Sequence, residues 1–302
     1  MADLQVTLGA ASRAVLCDAI TGAHSSIDAQ FYSLGDRAVI DVLNAAAKRG
    51  VSVTLHVEGD RGRYGHHGPH VPNTDHVRAT AAAYASFLDN HIHLVVEGDA
   101  GVLEHAKAAV VDGQRAFIAT ANPNTDGFTS PGQVVVEDDE PVDVAAVQDA
   151  IDGKSALSSR VVSGPSAQSR ERIAQLLAAP CDERIAVEDL SDTAIMSALI
   201  ERRAQGSHDE VLVKCEGAPA PQMRDLAAAG VDIRALPRAH LHEKYVDAGD
   251  RIYIGSANLT RNGLDEAREI GVVAPASDFG SGAVALRADF DAMWSNAVRI
   301  SA

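Results

Sequence analysis

The chain has 302 residues, 46% of them hydrophobic and 23% charged, enough to bury one large domain or two of ordinary size. No apolar run approaches the roughly 18 residues that a membrane-spanning helix needs, and Met1–Gln5 lacks the basic stretch and apolar block of a secretion signal, so a cytoplasmic protein is expected. The formal net charge of −16 works against a surface built for nonspecific nucleic-acid binding and against adhesion to anionic membranes, both of which favour basic groups.

In chain order, Ser26–Tyr32 alternates like a strand, and Asp36–Arg49 follows with apolar residues at helical spacing (Val39, Val42, Leu43, Ala46, Ala47). Asp36 is a natural helix N-cap and Gly50 a C-terminal stop, after which Val51–Val57 reads as a second strand. The segment Gly59–Val77 is rich in Gly, Pro and His. Its His66, His67, His70 and His76 match no zinc spacing, so it reads as a solvated or substrate-contacting loop, with Arg61, Arg63 and Tyr64 at its start. His56, His91 and His93 read as strand residues with satisfied hydrogen bonds. Cys17, Cys181 and Cys215 are odd in number and far apart, and read as buried reduced thiols.

A compact polar signature comes next: His105-Ala106-Lys107, then Asp112, then Ala119-Thr120-Ala121-Asn122, with Gln133 beyond. The acidic run Glu137–Glu140 reads as a solvated strand end. Gly, Ser and Pro gather in Asp152–Ser169, a connecting loop that divides the chain into halves 1–155 and 156–302. The second half replays the first. Arg184–Glu188 is a strand, Asp192 opens a helix, Glu210–Lys214 is a strand, and Gln222–Ala229 is a helix ending at Gly230. A strand at Val231–Arg234 then leads to His242-Glu243-Lys244, Gly255-Ser256-Ala257-Asn258 and Glu269. Gln133 and Glu269 lie equally far past their asparagines, so the register of the repeat survives beyond the motif. Alternating strands and helices in both halves predict an α/β fold of two pseudo-twofold-related halves, each a mixed sheet flanked by helices, with the active site between them.

On an extended segment, residues i and i+2 project together, so each His-x-Lys presents an imidazole and an ammonium side by side. With a hydroxyl (Thr120, Ser256) and an amide (Asn122, Asn258) nearby, each half can hold a phosphoryl group. Lysine neutralises charge, the amide donates to oxygen, and histidine attacks phosphorus or shuttles a proton. Two such sets equip a two-step displacement without metal or cofactor. Glu104 and Glu243, next to the histidines, point off this face and take no role.

These motifs resemble the phospholipase D superfamily, whose signature is His-x-Lys-x4-Asp followed by Gly-Ser-x-Asn. The likeness extends to the Ser26–Tyr32 strand, the Ala45–Gly50 helix end and Phe290–Trp294. It implies the family's fold, a covalent phosphohistidine and independence from metal, with catalytic His105, Lys107, Asn122, His242, Lys244 and Asn258. Thr120, Ser256, Glu269, Gln133 and Asp112 are supporting residues, with no metal ligand among them. The first copy has Ala119-Thr120 where the family has Gly-Ser. The second is one residue shorter, so Asp247 stands in for the structural motif aspartate. The family's acidic residue bonds the ring of its own half's histidine. Gln133 would then orient a neutral nucleophile His105, Glu269 would charge the proton donor His242, and Glu137 is a possible replacement for Gln133.

The expected function is a metal-independent phosphodiesterase, a phospholipase D-like phosphoric diester hydrolase of lipid metabolism. It hydrolyses or transfers a phosphatidyl group of a phospholipid or another phosphodiester. A nuclease or nucleic-acid-end phosphodiesterase of the same superfamily is the alternative, disfavoured by the acidic charge, and a catalytically decayed phosphate-ligand binder is the second. Cardiolipin-synthase-like transfer shares the site, but that group's usual membrane anchors are absent from the sequence, which counts against it. Both half-sites lie in one chain, so a monomer suffices.

Overall fold

A computed structural model describes residues 4–60, 74–98, 102–154, 156, 158–215, 217–237 and 239–302. Its first part runs β1 (Gln5–Leu8), α1 (Ala11–Thr21), β2 (Ser26–Phe31), α2 (Arg37–Lys48), β3 (Ser52–Glu58) and α3 (Thr74–Ala85). It continues through β4 (Ile92–Glu97), β5 (Lys107–Val111), β6 (Arg115–Ala119), α4 (Thr125–Thr129), β7 (Val134–Asp138) and α5 (Pro141–Ile151). The second part runs β8 (Val161–Gly164), α6 (Ala167–Leu176), β9 (Arg184–Val187), α7 (Thr193–Ala204), β10 (Glu210–Val213), α8 (Pro221–Ala228) and β11 (Asp232–Ala235). Then come β12 (Lys244–Asp247), β13 (Arg251–Gly255), a π-turn at Asn262–Glu266, β14 (Glu269–Pro275), a 3-10 turn at Ala276–Phe279, α9 (Ser281–Asn296) and β15 (Val298–Arg299).

The seven-stranded sheet has the order β1-β7-β6-β5-β2-β3-β4, and the eight-stranded sheet β15-β11-β10-β9-β12-β13-β14-β8. Apart from the added edge strand β15, the second order is the first one reversed: β9, β10 and β11 replace β2, β3 and β4, and β12, β13, β14 and β8 replace β5, β6, β7 and β1. Strands β2, β3 and β4 of the first sheet and β9, β10 and β11 of the second are parallel, and the motif strands are antiparallel. The expected mixed sheets and repeated halves are therefore present. The stretch 152–169, expected as a loop, contains β8 and the start of α6, because the Val161–Val162 pair finds an antiparallel partner in β14.

Three cores hold the layers together. Helices α1 to α3 pack Leu16, Ile20, Val39, Leu43 and Tyr84 on the outer face of the first sheet, and α6 to α8 pack Ile173, Ile195, Leu199 and Leu226 on that of the second. The third core lies between the sheets and draws on both parts: Val134, Val136, Val144 and Val147 meet Tyr245, Ile254, Leu286, Phe290 and Trp294. Capping follows the repeat. Asp36 accepts from Ala38 and Val39 N–H and pairs with Arg13 at 2.7 Å, while Asp192 accepts from Ala194 and Ile195 N–H and pairs with Arg170 at 2.9 Å.

Of the acidic run Glu137–Glu140, expected to be solvated, Asp138 is buried. Its partner is the buried Arg160, whose Nη2 donates to it at 3.0 Å and whose Nε donates to Asp143 of α5 at 2.5 Å. Arg160 also lies 3.7 Å from Asp278 in the 3-10 turn. Only the tertiary approach of residue 160 makes this tolerable, since a buried carboxylate needs a partner. Glu137 itself pairs with Arg115 at 3.2 Å, so it does not take the place of Gln133.

Replacing Arg160 with Met leaves buried carboxylates uncompensated and is expected to lower stability by about 3–5 kcal/mol. Urea unfolding checks this, and a loss under about 1 kcal/mol would show that the cluster is neutralised without Arg160.

Candidate active site

The motif residues sit where β5 and β12 begin, at the ends of β2 and β9. Phe31 pairs with Lys107 and Val187 with Lys244, which sets the two half-sites in the same register. His105 and His242 lie just before their strands rather than within them, yet remain two residues from their lysines. All six motif residues expected to be catalytic are brought to these strand ends. His105 is 5% exposed, Lys107, Lys244 and Asn258 are buried, and His242 and Asn122 are half-buried.

The amides are oriented alike. Asn122 Oδ1 accepts from Ser33 N–H at 3.3 Å and Asn258 Oδ1 from Asp189 N–H at 3.2 Å, so each NH2 end turns away from that backbone. The hydroxyls serve a different purpose from the phosphoryl support expected of them. Thr120 Oγ1 donates to Gly132 O and accepts from Val134 N–H, both at 2.9 Å. Ser256 Oγ donates to Ile270 O at 3.2 Å and accepts from Ile270 N–H at 3.0 Å. These groups fasten the motif turns to β7 and β14. In the second half a Cβ on Gly255 would lie 2.5 Å from Gly271 Cα, so glycine is required there, while the first half accommodates Ala119 beside Val135.

The motif aspartates are structural. Asp112 has φ 55° and accepts from the N–H groups of His24, Ser25 and Ser26. Burial works to raise its carboxyl, but those hydrogen bonds hold it below the usual range. Asp247 accepts from Gly249 N–H at 2.9 Å and Arg287 Nε at 2.7 Å, as expected of the stand-in.

One expected pairing is overturned. Glu269 bonds His105, not His242: its Oε1 lies 2.7 Å from His105 Nδ1. The two sheets face each other, so the start of β14 reaches across the interface. His105 N–H donates to Arg268 O at 3.0 Å, and Arg268 N–H returns to Leu103 O at 2.8 Å. The corresponding contact in the second half is offset by one residue: His242 N–H donates to Pro131 O at 3.2 Å, which brings the approach to β7 beside His242. The resemblance had implied pairing within a half, but Glu269 reaches across the interface to His105.

Sequence reasoning missed Glu188 and His240. Glu188 Oε2 lies 2.8 Å from Lys244 Nζ and 3.5 Å from His242 Nδ1, and Oε1 lies 3.0 Å from His240 Nε2. The signal available was an acid directly following a strand that aligns with Tyr32 of the first half. Glu188, His240 and His242 bring three donor atoms within 4.8 Å of one another. Lys244 and Lys214 already supply cations to this carboxylate, at 2.8 and 3.6 Å, and we assign it no metal.

Glu104 and Glu243 do leave the catalytic face, but into the interior. Gln30 Nε2 donates to Glu104, Arg268 Nε approaches it at 3.2 Å, and burial pushes its carboxyl up to about 8. Glu243 is fully buried, neither oxygen has a hydrogen-bond partner among the described residues, and burial raises it well above the usual carboxylate range. Gly132, at φ 71°, packs so tightly on Glu243 that an added Cβ would lie 2.3 Å from its Cβ.

His56 meets Glu97 at 3.2 Å and His91 meets Asp89 at 2.7 Å, while His93 is exposed. His76 lies in α3 with Asp60 at 3.0 Å, and the readings of Arg61, Arg63, Tyr64, His66, His67 and His70 fall outside the described residues. The three cysteines are free and half-buried.

Burial sets the electrostatics. It lowers both His105 and His242, against the pull of Glu269 and Glu188 respectively, so both rings favour the neutral form. Lys107 donates to His105 O, has the Tyr32 ring centroid 5.7 Å from Nζ, and is lowered by burial to about 7 against the pull of Glu269. Lys244 lowers both His105 and Lys107, so the half-sites feel one another's charge.

The family model described as cardiolipin synthase, PLD-like domain, matches residues 16–153 and again 173–294. The structure of phosphatidylserine synthase from Haemophilus influenzae Rd KW20 is similar over 99% of this chain and 87% of its own, with a TM-score of 0.70 at 12% identity. Polyphosphate kinase from Porphyromonas gingivalis aligns with 90% of this chain, with a TM-score of 0.60 at 19% identity, and the aligned part is 47% of the kinase. Nuc from Salmonella typhimurium, a phospholipase D family member, matches 47% of this chain and 97% of its own, with a TM-score of 0.42 at 18% identity. No curated protein matches the chain.

An anion bound beside Lys107 favours its charged form and raises its pKa from about 7 toward the ordinary 10.5, so binding takes up a proton above neutrality. Sulfate, whose charge is constant here, should bind up to about tenfold more weakly per pH unit above pH 7. Calorimetric titration from pH 6 to 9 checks this, and Lys107→Arg should remove the slope above pH 7. A slope retained in that variant would assign the proton to another group.

Proposed function

The chain belongs to the phospholipase D superfamily, in its cardiolipin synthase, PLD-like domain family, and on that premise we propose that it is a metal-independent phosphodiesterase acting through a covalent phosphohistidine. Its substrate on this reading is a phospholipid, whose phosphatidyl group it hydrolyses or transfers. The observation that carries the proposal is the buried His105–Glu269 contact of 2.7 Å, made across the two halves beside Lys107.

A carboxylate can only accept, so Nδ1 of His105 donates to Glu269 and Nε2 keeps the lone pair. That nitrogen attacks phosphorus, the bond from phosphorus to the departing oxygen breaks, and His242, which takes up a proton as the phosphate anion binds, gives that proton to the oxygen. Glu269 offsets the positive charge that develops on the His105 ring. Lys107, Lys244, Asn122 and Asn258 hold the non-bridging oxygens. In the second step water or an alcohol attacks phosphorus, its proton passes to His242, and the N–P bond breaks. His105 thus remains the proposed nucleophile, now because it carries the carboxylate and not because it lacks one. The family's description supports a phosphatidyl group as the unit transferred, and the formal charge of −16 disfavours nucleic acid as the substrate.

The test compares wild type, His105→Ala and His242→Ala without added metal on phosphatidylcholine in mixed micelles and on single-stranded DNA. Choline release should fall at least about a thousandfold in either variant, while DNA stays intact. Acid-quenched wild type should carry labelled phosphatidyl on His105. Label on His242 would reverse the roles, DNA cleavage alone would make the protein a nuclease, and activity on neither would favour a phosphate-binding role. Glu269→Gln should lower kcat about a hundredfold with little change in KM, because it leaves the site's shape and removes the charge opposite the developing imidazolium.

A further inference from the structure

The two half-sites differ most at one aligned position. Tyr32 follows β2 and Glu188 follows β9, and each is the residue after the one paired with its motif lysine. Tyr32 meets His105 edge-on, with ring centroids 5.4 Å apart, and offers no charge. Glu188 faces His242 Nδ1 at 3.5 Å, and its other oxygen is held by His240 Nε2 at 3.0 Å. The His240 ring lies against that of His242, centroids 4.3 Å apart and tilted by 36°. The His242 ring is therefore bounded by a carboxylate and by a second imidazole.

A second difference complements the first. The residue that aligns with Glu269 is Gln133, whose Nε2 has no hydrogen-bond partner among the described residues, and an amide cannot counter an imidazolium. Half 1 has its carboxylate across the interface and Tyr32 within; half 2 has the amide across the interface and Glu188 within. Each histidine thus has one carboxylate facing Nδ1, supplied from opposite sides.

We propose that Glu188 is the positioning residue of His242, supplying from within the second half the carboxylate that Gln133 does not supply across the interface. The inference rests on the functional reading above. The charged and titratable groups facing His242 are Glu188, His240, Lys244 and, through Glu188, Lys214. Lys244 and His240 oppose a proton on His242 and Glu188 favours one, so the carboxylate decides whether the ring can act as proton donor. At 3.5 Å the contact exceeds a hydrogen bond, and catalytic contacts of this kind commonly tighten when substrate binds.

The test uses Glu188→Gln, which keeps the shape, and the double variant Glu188→Gln/Gln133→Glu, which returns a carboxylate from the other side. Glu188→Gln should lower kcat about a hundredfold, keep KM within about twofold, and move the basic limb of kcat/KM to lower pH. The double variant should regain most of the loss. A defect confined to KM, or one that Gln133→Glu leaves unrepaired, would mean that Glu188 only neutralises Lys244 and would overturn the inference.

An NMR titration of the histidine rings in the full chain needs no substrate. In Glu188→Gln the pKa of His242 should fall while that of His105, held by Glu269, stays in place. An unmoved His242 sinks the inference whether or not the substrate has been found, whereas absent turnover with a shifted His242 counts only against the functional reading.

Discussion

The contact between His105 and Glu269 cannot form within either half. It requires β14 of one sheet to meet the approach to β5 of the other closely enough for two backbone hydrogen bonds and a buried side-chain pair. The core between the sheets, with Val136 and Val147 from one side and Leu286 and Phe290 from the other, brings them to that distance. Burial then does two things at once. It removes water that would weaken the electrostatic interactions, and it lowers both histidines and Lys107, leaving them responsive to an anion. The geometry around His105 and the fold therefore depend on the same interface.

The repeat is structural before it is chemical. Asp36 and Asp192 cap equivalent helices, Asn122 and Asn258 accept from equivalent backbone groups, and Thr120 and Ser256 fasten equivalent turns. Charge is where the copies part. Tyr32 opposes Glu188, Gln133 opposes Glu269, and Arg268, the partner of Glu104, aligns with Gly132, which packs on an unpaired Glu243. A symmetric site would give both histidines the same proton affinity. A two-step displacement needs one ring to start as base and the other as acid, and unequal surroundings are how side chains of one type acquire different roles.

Much of this was legible along the chain. Strand and helix periodicity placed β2, α2, β3, β9, α7, β10 and α8 to within a residue or two, because local patterning and capping decide those elements. The doubled His-x-Lys and Asn motifs named residues that lie at the ends of β2 and β9, since two copies in matched register carry information that a single copy does not. The resemblance implied a structural role for Asp112 and its stand-in Asp247, and both hold backbone N–H groups.

What the sequence left open concerned contacts between segments distant along the chain. The ring partner of each histidine was taken from the resemblance as lying in its own half, whereas Glu269 reaches His105 across the interface and His242 faces Glu188. Asp138 read as solvated within its acidic run, until Arg160 came to lie beside it. Glu188 and His240 belong to no motif and acquire meaning only where β9 and β12 pair. Hydrophobic period and capping act over a few residues and are written locally, whereas a carboxylate's partner, and with it the proton affinity of the imidazole it faces, depends on which surfaces the buried core brings together.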